Sequence, residues 1–345
     1  MKFLKKMPIK TLTAVFFIFF CNFKIYPALI IFFSLFMPAV SNCSEISGHI
    51  RSFDFDNYEI NILNFNGKIE RIKVKNYLKS AVIAETPATG AENYKLTAVL
   101  IRTLAYSEYM KNADYKITFK TGGTVYPENM PRHYNSNFLL CSKTHCVSFK
   151  KCDNADKLKS AEAAVVETEN KILTSGAVPV EIFFSANCGG YSHTPSELYG
   201  ANFSYPYYQA SGPNRCPCQT AGRREWTSHI SKKFLEKFSG VEIGSCETFQ
   251  NPYQIIINGK ISINYDKLMH LIENSNYNRI KSPNFKTTIA KNSDSLIFYG
   301  TGIGHGIGLC QKGADILEKN GLNYTQILEF YYPGCEITKI ENTRR

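Results

Sequence analysis

Three short stretches have residue types and spacings that could do chemistry. The first is an acid followed by two cations. Tyr77, Leu78, Ala81 and Val82 recur at helical spacing, Glu85 closes that segment, and Thr86-Pro87 follows. A residue before proline is pushed out of the α region, so the pattern predicts a helix that stops at Glu85. Thr89-Gly90-Ala91-Glu92 reads as a capping box, and no Gly or Pro occurs from there to Met110, so a second helix should start directly after the corner. Lys95 and Arg102 share a face of it. The negative end of a helix favours the protonated form of a carboxyl, the form that general-acid chemistry requires. An ordinary solvated glutamate at a helix stop is the alternative reading. The second stretch holds four soft ligands, His133, Cys141, His145 and Cys146. Two His and two Cys suit tetrahedral zinc if the local turn lets adjacent His145 and Cys146 both ligate. A disulfide from Cys141 or Cys146 to Cys152 or Cys188 is the competing use.

The third stretch is the glycine-rich segment Thr301–Gly313, with His305 between two glycines. His305 is placed either to touch a substrate or to hold the turn. The segment lacks G-x-G-x-x-G spacing, and no G-x-x-x-x-G-K-[ST] occurs in the sequence, so neither nucleotide motif is supported. Cys188-Gly189-Gly190 forms a turn where backbone can approach something closely. Cys216-Pro217-Cys218 is too tight for the usual zinc knuckle and reads as a disulfide or a spare ligand pair. Tyr205, Tyr207 and Tyr208 could stack on sugar rings or serve as packing.

The positioning elements are mixed. Residues 47–74 alternate like strands around Asn66-Gly67, a two-residue hairpin signal, and Tyr253–Ile257, Asn258-Gly259 and Lys260–Ile263 repeat that signal. Residues 156–170 read as an amphipathic helix, 178–185 as a buried strand, 266–275 as a helix, 296–300 as a strand, and 313–320 with 324–331 as closing helices. An α+β fold follows, built of antiparallel strands and helices rather than a regular repeat.

Residues 1–42 carry five lysines and no acid, with apolar runs Leu12–Phe23 and Ile25–Met37. This reads as an export signal ending at Ala39-Val40-Ser41, with a retained anchor or lipidation at Cys43 as rivals. The net charge of +11 falls to +6 without those five lysines. The remaining charge suits a polyanionic or wall-like partner, and the absence of long basic runs argues against nucleic acid. Membrane contact is expected only through the N-terminal segment. Nine of the 11 cysteines lie beyond Cys43; an oxidising compartment would pair some of them, and an anaerobic one would leave thiols or metal ligands.

Ile83-Ala84-Glu85-Thr86-Pro87-Ala88, with Lys95-Leu96-Thr97-Ala98-Val99-Leu100-Ile101-Arg102-Thr103, resembles the signature of the SpoIID/LytB family (stage II sporulation protein D and amidase enhancers). Cys188-Gly189-Gly190-Tyr191-Ser192 with Leu198-Tyr199-Gly200 resembles its glycine-pair segment. Gly304-His305-Gly306-Ile307-Gly308-Leu309-Cys310-Gln311-Lys312-Gly313-Ala314, with Tyr331-Tyr332-Pro333-Gly334, resembles its C-terminal signature.

The resemblance implies one SpoIID/LytB domain over 43–345, two lobes around a cleft, with 75–110 as the catalytic helix pair and 300–335 as the glycine-rich signature. It implies a lytic transglycosylase that cuts the MurNAc-GlcNAc bonds of peptidoglycan glycan strands, with Glu85 as single general acid and base. Lys95 and Arg102 would tune Glu85, bind substrate or hold the helix pair, and Gly189, Gly190 and His305 would line the cleft. Some members bind zinc in a stretch like that of His133, Cys141, His145 and Cys146. Others are described as enhancers of a wall amidase, so a non-catalytic partner of an amidase or hydrolase is the second expectation.

Overall fold

The computed structural model describes residues 54–340, except 89, 121–130, 144–145, 150–151, 201–202, 209–215, 223, 251–252, 266, 269–279 and 290–293. The export segment 1–42, Thr89, His145 and most of the helix expected at 266–275 therefore lie outside the described residues. Residues 51–345 make one compact unit, and its class is α+β, as the sequence implies.

The hairpin β1 (Glu59–Leu63) and β2 (Ile69–Lys73) leads into helix α1 (Val74–Glu85). Its turn departs from the two-residue form. Asn64 also joins the ladder through Lys68, the Asn64 side chain accepts from the N–H groups of Asn66 and Lys68, and Gly67 takes φ +72°. The loop is thus three residues with glycine at the left-handed position. In the second hairpin, β9 (Tyr253–Ile257) and β10 (Ile261–Asn264), Asn258 and Gly259 both have positive φ and Lys260 N–H donates to Ile257 C=O, but Ile257 pairs with Ile261, so Lys260 joins the loop as a third residue.

Helix α2 (Ala91–Lys120) is the centre of the unit. Leu96, Ala98, Val99, Leu100, Ile101, Leu104, Ala105 and Tyr106 are all buried. Apolar residues on every side fit a helix enclosed by neighbours, here α1, α3 (Ala155–Glu167), β4 (Lys171–Ser175), α7 (Gln311–Lys319) and α8 (Tyr324–Tyr331). Strand β4 lies between β14 (Glu336–Lys339) and β5 (Val178–Pro179), and β3 (Leu140–Cys141) runs parallel to β1.

Of the capping box expected at the start of α2, Thr89 lies outside the described residues; a carboxylate from far along the sequence meets this N-terminus. Glu318 of α7 accepts from the N–H of Glu92 at 2.8 Å and of Asn93 at 3.3 Å. Glu92 instead accepts from the N–H of Tyr324, the first residue of α8, at 2.7 Å. Both helix N-termini thus receive carboxylates, which favours them, but each from another element.

Residues 178–185 do not form one strand; they divide into β5 and the short β6 (Phe184–Ser185). Between them, tyrosine hydroxyls take the place of a neighbouring strand. Tyr207 Oη accepts from Glu181 N–H at 3.0 Å, Tyr208 Oη accepts from Phe183 N–H at 3.0 Å and donates to Glu181 C=O at 2.6 Å, and Tyr332 Oη donates to Phe183 C=O at 2.7 Å. Tyr207 and Tyr208 are buried, and burial pushes the Tyr207 and Tyr208 hydroxyls well above the usual range, so packing is their use.

Strand β6 pairs in parallel with β13 (Leu309–Cys310), and bridges Asn187–Ile303 and His193–Ile307 lay the glycine-rich segment along residues 184–193. The short helices α4 (Pro195–Tyr199) and α5 (Cys218–Ala221) flank it. Beyond stand the sheet of β11 (Phe285–Ile289), β12 (Ser295–Thr301) and β7 (Glu225–Ser231), helix α6 (Lys232–Ser239), and the sheet of β8 (Cys246–Gln250), β9 and β10.

Candidate active site

Glu85 is the last residue of α1, and Thr86 closes the helix with an N–H to Val82 C=O. It is half-buried. Two elements remote in sequence fix it. The N–H of Ser148 donates to Oε1 at 2.7 Å, and Gln311 Nε2, at the start of α7, donates to the Glu85 backbone carbonyl at 2.5 Å. Oε2 has no hydrogen-bond donor among the described residues. Among the described residues one oxygen of the carboxylate is thus anchored and the other carries no hydrogen bond.

Five other carboxylates around α2 are engaged structurally. Asp56 pairs with Arg102, Glu92 and Glu318 cap helices, and Glu108 and Glu181 share Arg132. Lys111 joins that last group through Glu181 at 2.7 Å. Burial pushes Glu108 up, whereas Glu181, although burial raises it, is held below the usual range by the Arg132 and Lys111 charges. Arg132 also donates its own N–H to Glu108, so this network fixes the backbone that leads into His133.

Arg102 does not line a cleft. It is 0% exposed, donates Nε and Nη2 to Asp56 at 2.7 and 3.0 Å, and reaches Thr168 Oγ1 and the carbonyls of Val165 and Lys171. A planar guanidinium with five N–H donors suits that set. Its neighbour Thr103 accepts the Leu173 N–H at 2.8 Å. Together they tie α2 to α3 and β4. Lys95 is partly exposed and binds Glu92 at 2.9 Å and Glu167 at 2.7 Å, hydrogen bonds that raise its pKa, that to Glu167 most. Lys95 and Arg102 thus share a face, as expected, and that face meets the C-terminal end of α3. These contacts join α2 to α3 and β4, and none of them reaches α1, the other member of the expected helix pair.

Gly189 and Gly190 take φ +71° and +97°. A Cβ on Gly189 would lie 2.7 Å from the Thr301 backbone, and one on Gly190 would lie 3.0 Å from Gln219 Cβ. What approaches these glycines closely is the protein's own glycine-rich segment and α5. His305 Nδ1 accepts from Ile307 N–H at 3.0 Å, and the ring also bonds to the Phe184 backbone. Burial holds it at about 4, a neutral imidazole. The ring thus ties the turn to β6.

His133, Cys141 and Cys146 come together, with ligand atoms within 4.8 Å of one another and His133 Nε2 3.3 Å from Cys146 Sγ. The pairing of β3 with β1 brings Cys141 there. Burial pushes the Cys146 thiol up to about 12. No disulfide forms among the described cysteines, so the pairing with Cys152 or Cys188 is not observed. Three convergent soft donors fit a tetrahedral zinc. Tyr77, also buried here, stacks on Phe149 with centroids 5.6 Å apart, and its hydroxyl has no hydrogen-bond partner among the described residues.

The family model described as Stage II sporulation protein matches residues 65–175, which contain Glu85, Lys95, Arg102 and the His133 cluster. Stage II sporulation protein D of Bacillus subtilis (strain 168) is 27% identical over 284 residues, 80% of this protein and 77% of the relative. The protein of the same name from Bacillus amyloliquefaciens is 25% identical over 285 residues, again 80% and 77%. The chain is thus similar to members of the SpoIID/LytB family. An amidase enhancer of Bacillus subtilis (strain 168) is 24% identical over 319 residues, 76% of this protein but 40% of the relative. Gln311 and the N–H of Ser148 are the Glu85 contacts that sequence reading missed. Gln311 stands in the C-terminal signature and could have been singled out; a backbone donor leaves no mark in the sequence.

Proposed function

We propose that the protein is a peptidoglycan lytic transglycosylase with Glu85 as its single acid and base. The observation that supports this most is the half-buried Glu85 carboxylate, anchored through Oε1 by Ser148 N–H and with no donor to Oε2 among the described residues. The reaction needs one such group. As the acid, Glu85 protonates the glycosidic oxygen while the muramoyl C1–O bond breaks. As the carboxylate, it accepts the proton of the muramoyl 6-hydroxyl, whose oxygen attacks C1 and closes the 1,6-anhydro ring. No second nucleophilic carboxylate is required, unlike the hydrolytic pair.

Zinc held by His133, Cys141 and Cys146, with His145 as the expected fourth ligand, would supply structural charge neutralisation for buried thiolates. The protein's own contribution is then the loop that presents Ser148 N–H to Glu85. Export through residues 1–42 delivers the enzyme to the envelope or beyond, with glycan strands as its partner.

The test is digestion of purified glycan strands, with and without stem peptides, by wild type and Glu85→Gln, with products weighed by mass spectrometry. Anhydro ends from the wild type alone are expected. Full activity in the variant would refute the assignment of Glu85. The relative named as an amidase enhancer favours one other reading, a non-catalytic enhancer of a wall amidase; glycan binding with no anhydro product from wild type would support that instead.

A further inference from the structure

A second cluster of soft ligands includes none of the residues that contact Glu85. Cys188, Cys216, Cys218 and Cys310 are 1%, 2%, 0% and 0% exposed, and their four sulfurs lie within 4.8 Å of one another. We propose that these four cysteines bind one tetrahedrally coordinated transition-metal ion of the zinc and ferrous class, as a closed structural site. It shares no residue with the His133 cluster and does not depend on the proposed activity.

The geometry supports a metal over other uses. With metal–sulfur bonds of about 2.3 Å, a tetrahedron places its sulfurs about 3.8 Å apart, which the observed spread accommodates. The Cys188 and Cys218 sulfurs are 3.4 Å apart, so all four meet around one point rather than in two bonded pairs. The surroundings are those of thiolates. Cys310 Sγ accepts the N–H of Cys188 and the N–H of Gly313, each at 3.3 Å, and Cys216 Sγ lies 3.4 Å from Tyr331 Oη. Donors of this kind orient metal-bound sulfur. Gly313 leaves the space: a Cβ there would lie 2.6 Å from Cys216 Sγ. Four soft thiolates with no carboxylate among them select zinc or iron over hard cations, and four protein ligands leave no open position for a reacting water.

The site would join three stretches of the polypeptide. Cys188 begins the glycine-pair turn, Cys216 and Cys218 bracket the start of α5, and Cys310 caps α7 immediately before Gln311. Pro217 keeps the last two apart in a tight turn, so the short spacing that argues against a zinc knuckle suits ligands completed by distant partners.

The experiment is elemental analysis of the whole protein, purified anaerobically without chelator or metal affinity resin, with peptide mapping under non-reducing conditions. Wild type is expected to carry about two metal ions per molecule, and Cys146→Ser about one. Refilling Cys146→Ser with cobalt should give intense thiolate-to-cobalt absorption at about one equivalent. Cys218→Ala should lose one ion, and Cys218→His should keep it with a shifted cobalt spectrum. Zinc or iron at that stoichiometry supports the site. A Cys146→Ser protein without metal, or mapping that finds the four cysteines in two disulfides in the wild type, overturns it; neither of these wild-type and Cys146→Ser readings requires the Cys218 variants to fold.

Discussion

Gln311 Nε2 donates to the backbone carbonyl of Glu85 at 2.5 Å, across 226 positions of sequence. That carbonyl belongs to the last turn of α1, where helix carbonyls lack partners of their own. The bond therefore fixes where the carboxylate emerges. Gln311→Ala should lower the rate of anhydro-end release roughly 10–100-fold with KM near wild type, as small misplacements of a catalytic group do. Unfolding free energy should fall by only about 1 kcal/mol. An unchanged rate would mean that Ser148 and the helix suffice.

Removing Cys146, the proposed metal ligand, probes the other anchor. Cys146→Ser should reduce catalysis by roughly tenfold through the loop that carries Ser148, with circular dichroism unchanged. Chelation of wild type should do the same and added zinc should reverse it. Activity indifferent to both would separate the cluster from the acid.

Arg102→Met should destabilise strongly. It leaves Asp56 buried without its charge partner, a loss of about 3–5 kcal/mol. Arg102→Lys should recover only part, since an ammonium cannot reach Asp56, Thr168 and two carbonyls in the same plane. Urea unfolding reads both, and a loss under about 1 kcal/mol in Arg102→Met would show that the network is dispensable.

His305 predicts a pH dependence. Its folded pKa of about 4 lies below the ordinary 6.5 or so. The unfolded state therefore binds the proton first as pH falls, and stability present above about 6.5 is lost towards 4. The nearby His193 charge acts in the same direction. Between pH 7 and pH 5 the wild type should lose about 1–2 kcal/mol more than His305→Gln. Parallel urea midpoints for the two proteins over that range would contradict the assignment.

Tyr208→Phe removes the hydroxyl that serves Phe183 N–H and Glu181 C=O. Two partly buried backbone groups lose their partner, at about 1–3 kcal/mol. Thermal unfolding should show the loss; an unchanged midpoint would mean that water replaces the hydroxyl.

Local signals carried much of this fold. The proline after Thr86 ends α1 at Glu85, and Asn258 and Gly259 turn the chain at positive φ, because both outcomes are decided within a few residues. Glu92 shows the limit. Its position fits a capping box, yet its carboxylate serves Tyr324, and a glutamate 226 residues away in sequence caps α2 instead. Arg102 shows another. A cation facing outward and one buried on Asp56 look alike in a string of letters, since burial depends on what α3 and β4 bring over it. The four-cysteine cluster escaped for the same reason: Cys188 and Cys310 meet only when β6 pairs with β13.

The long reach of these bonds sets an order of events. Glu318 caps the central helix, Gln311 holds the acid, and β14 completes the sheet around β4. All three lie more than 220 residues after Glu85 in the sequence. A polypeptide emerging from its N-terminus has synthesised Glu85 long before anything can set it, and such distant closures are slow to form. The corner stays unassembled until those residues are made, so an incomplete copy carries the acid but not the site.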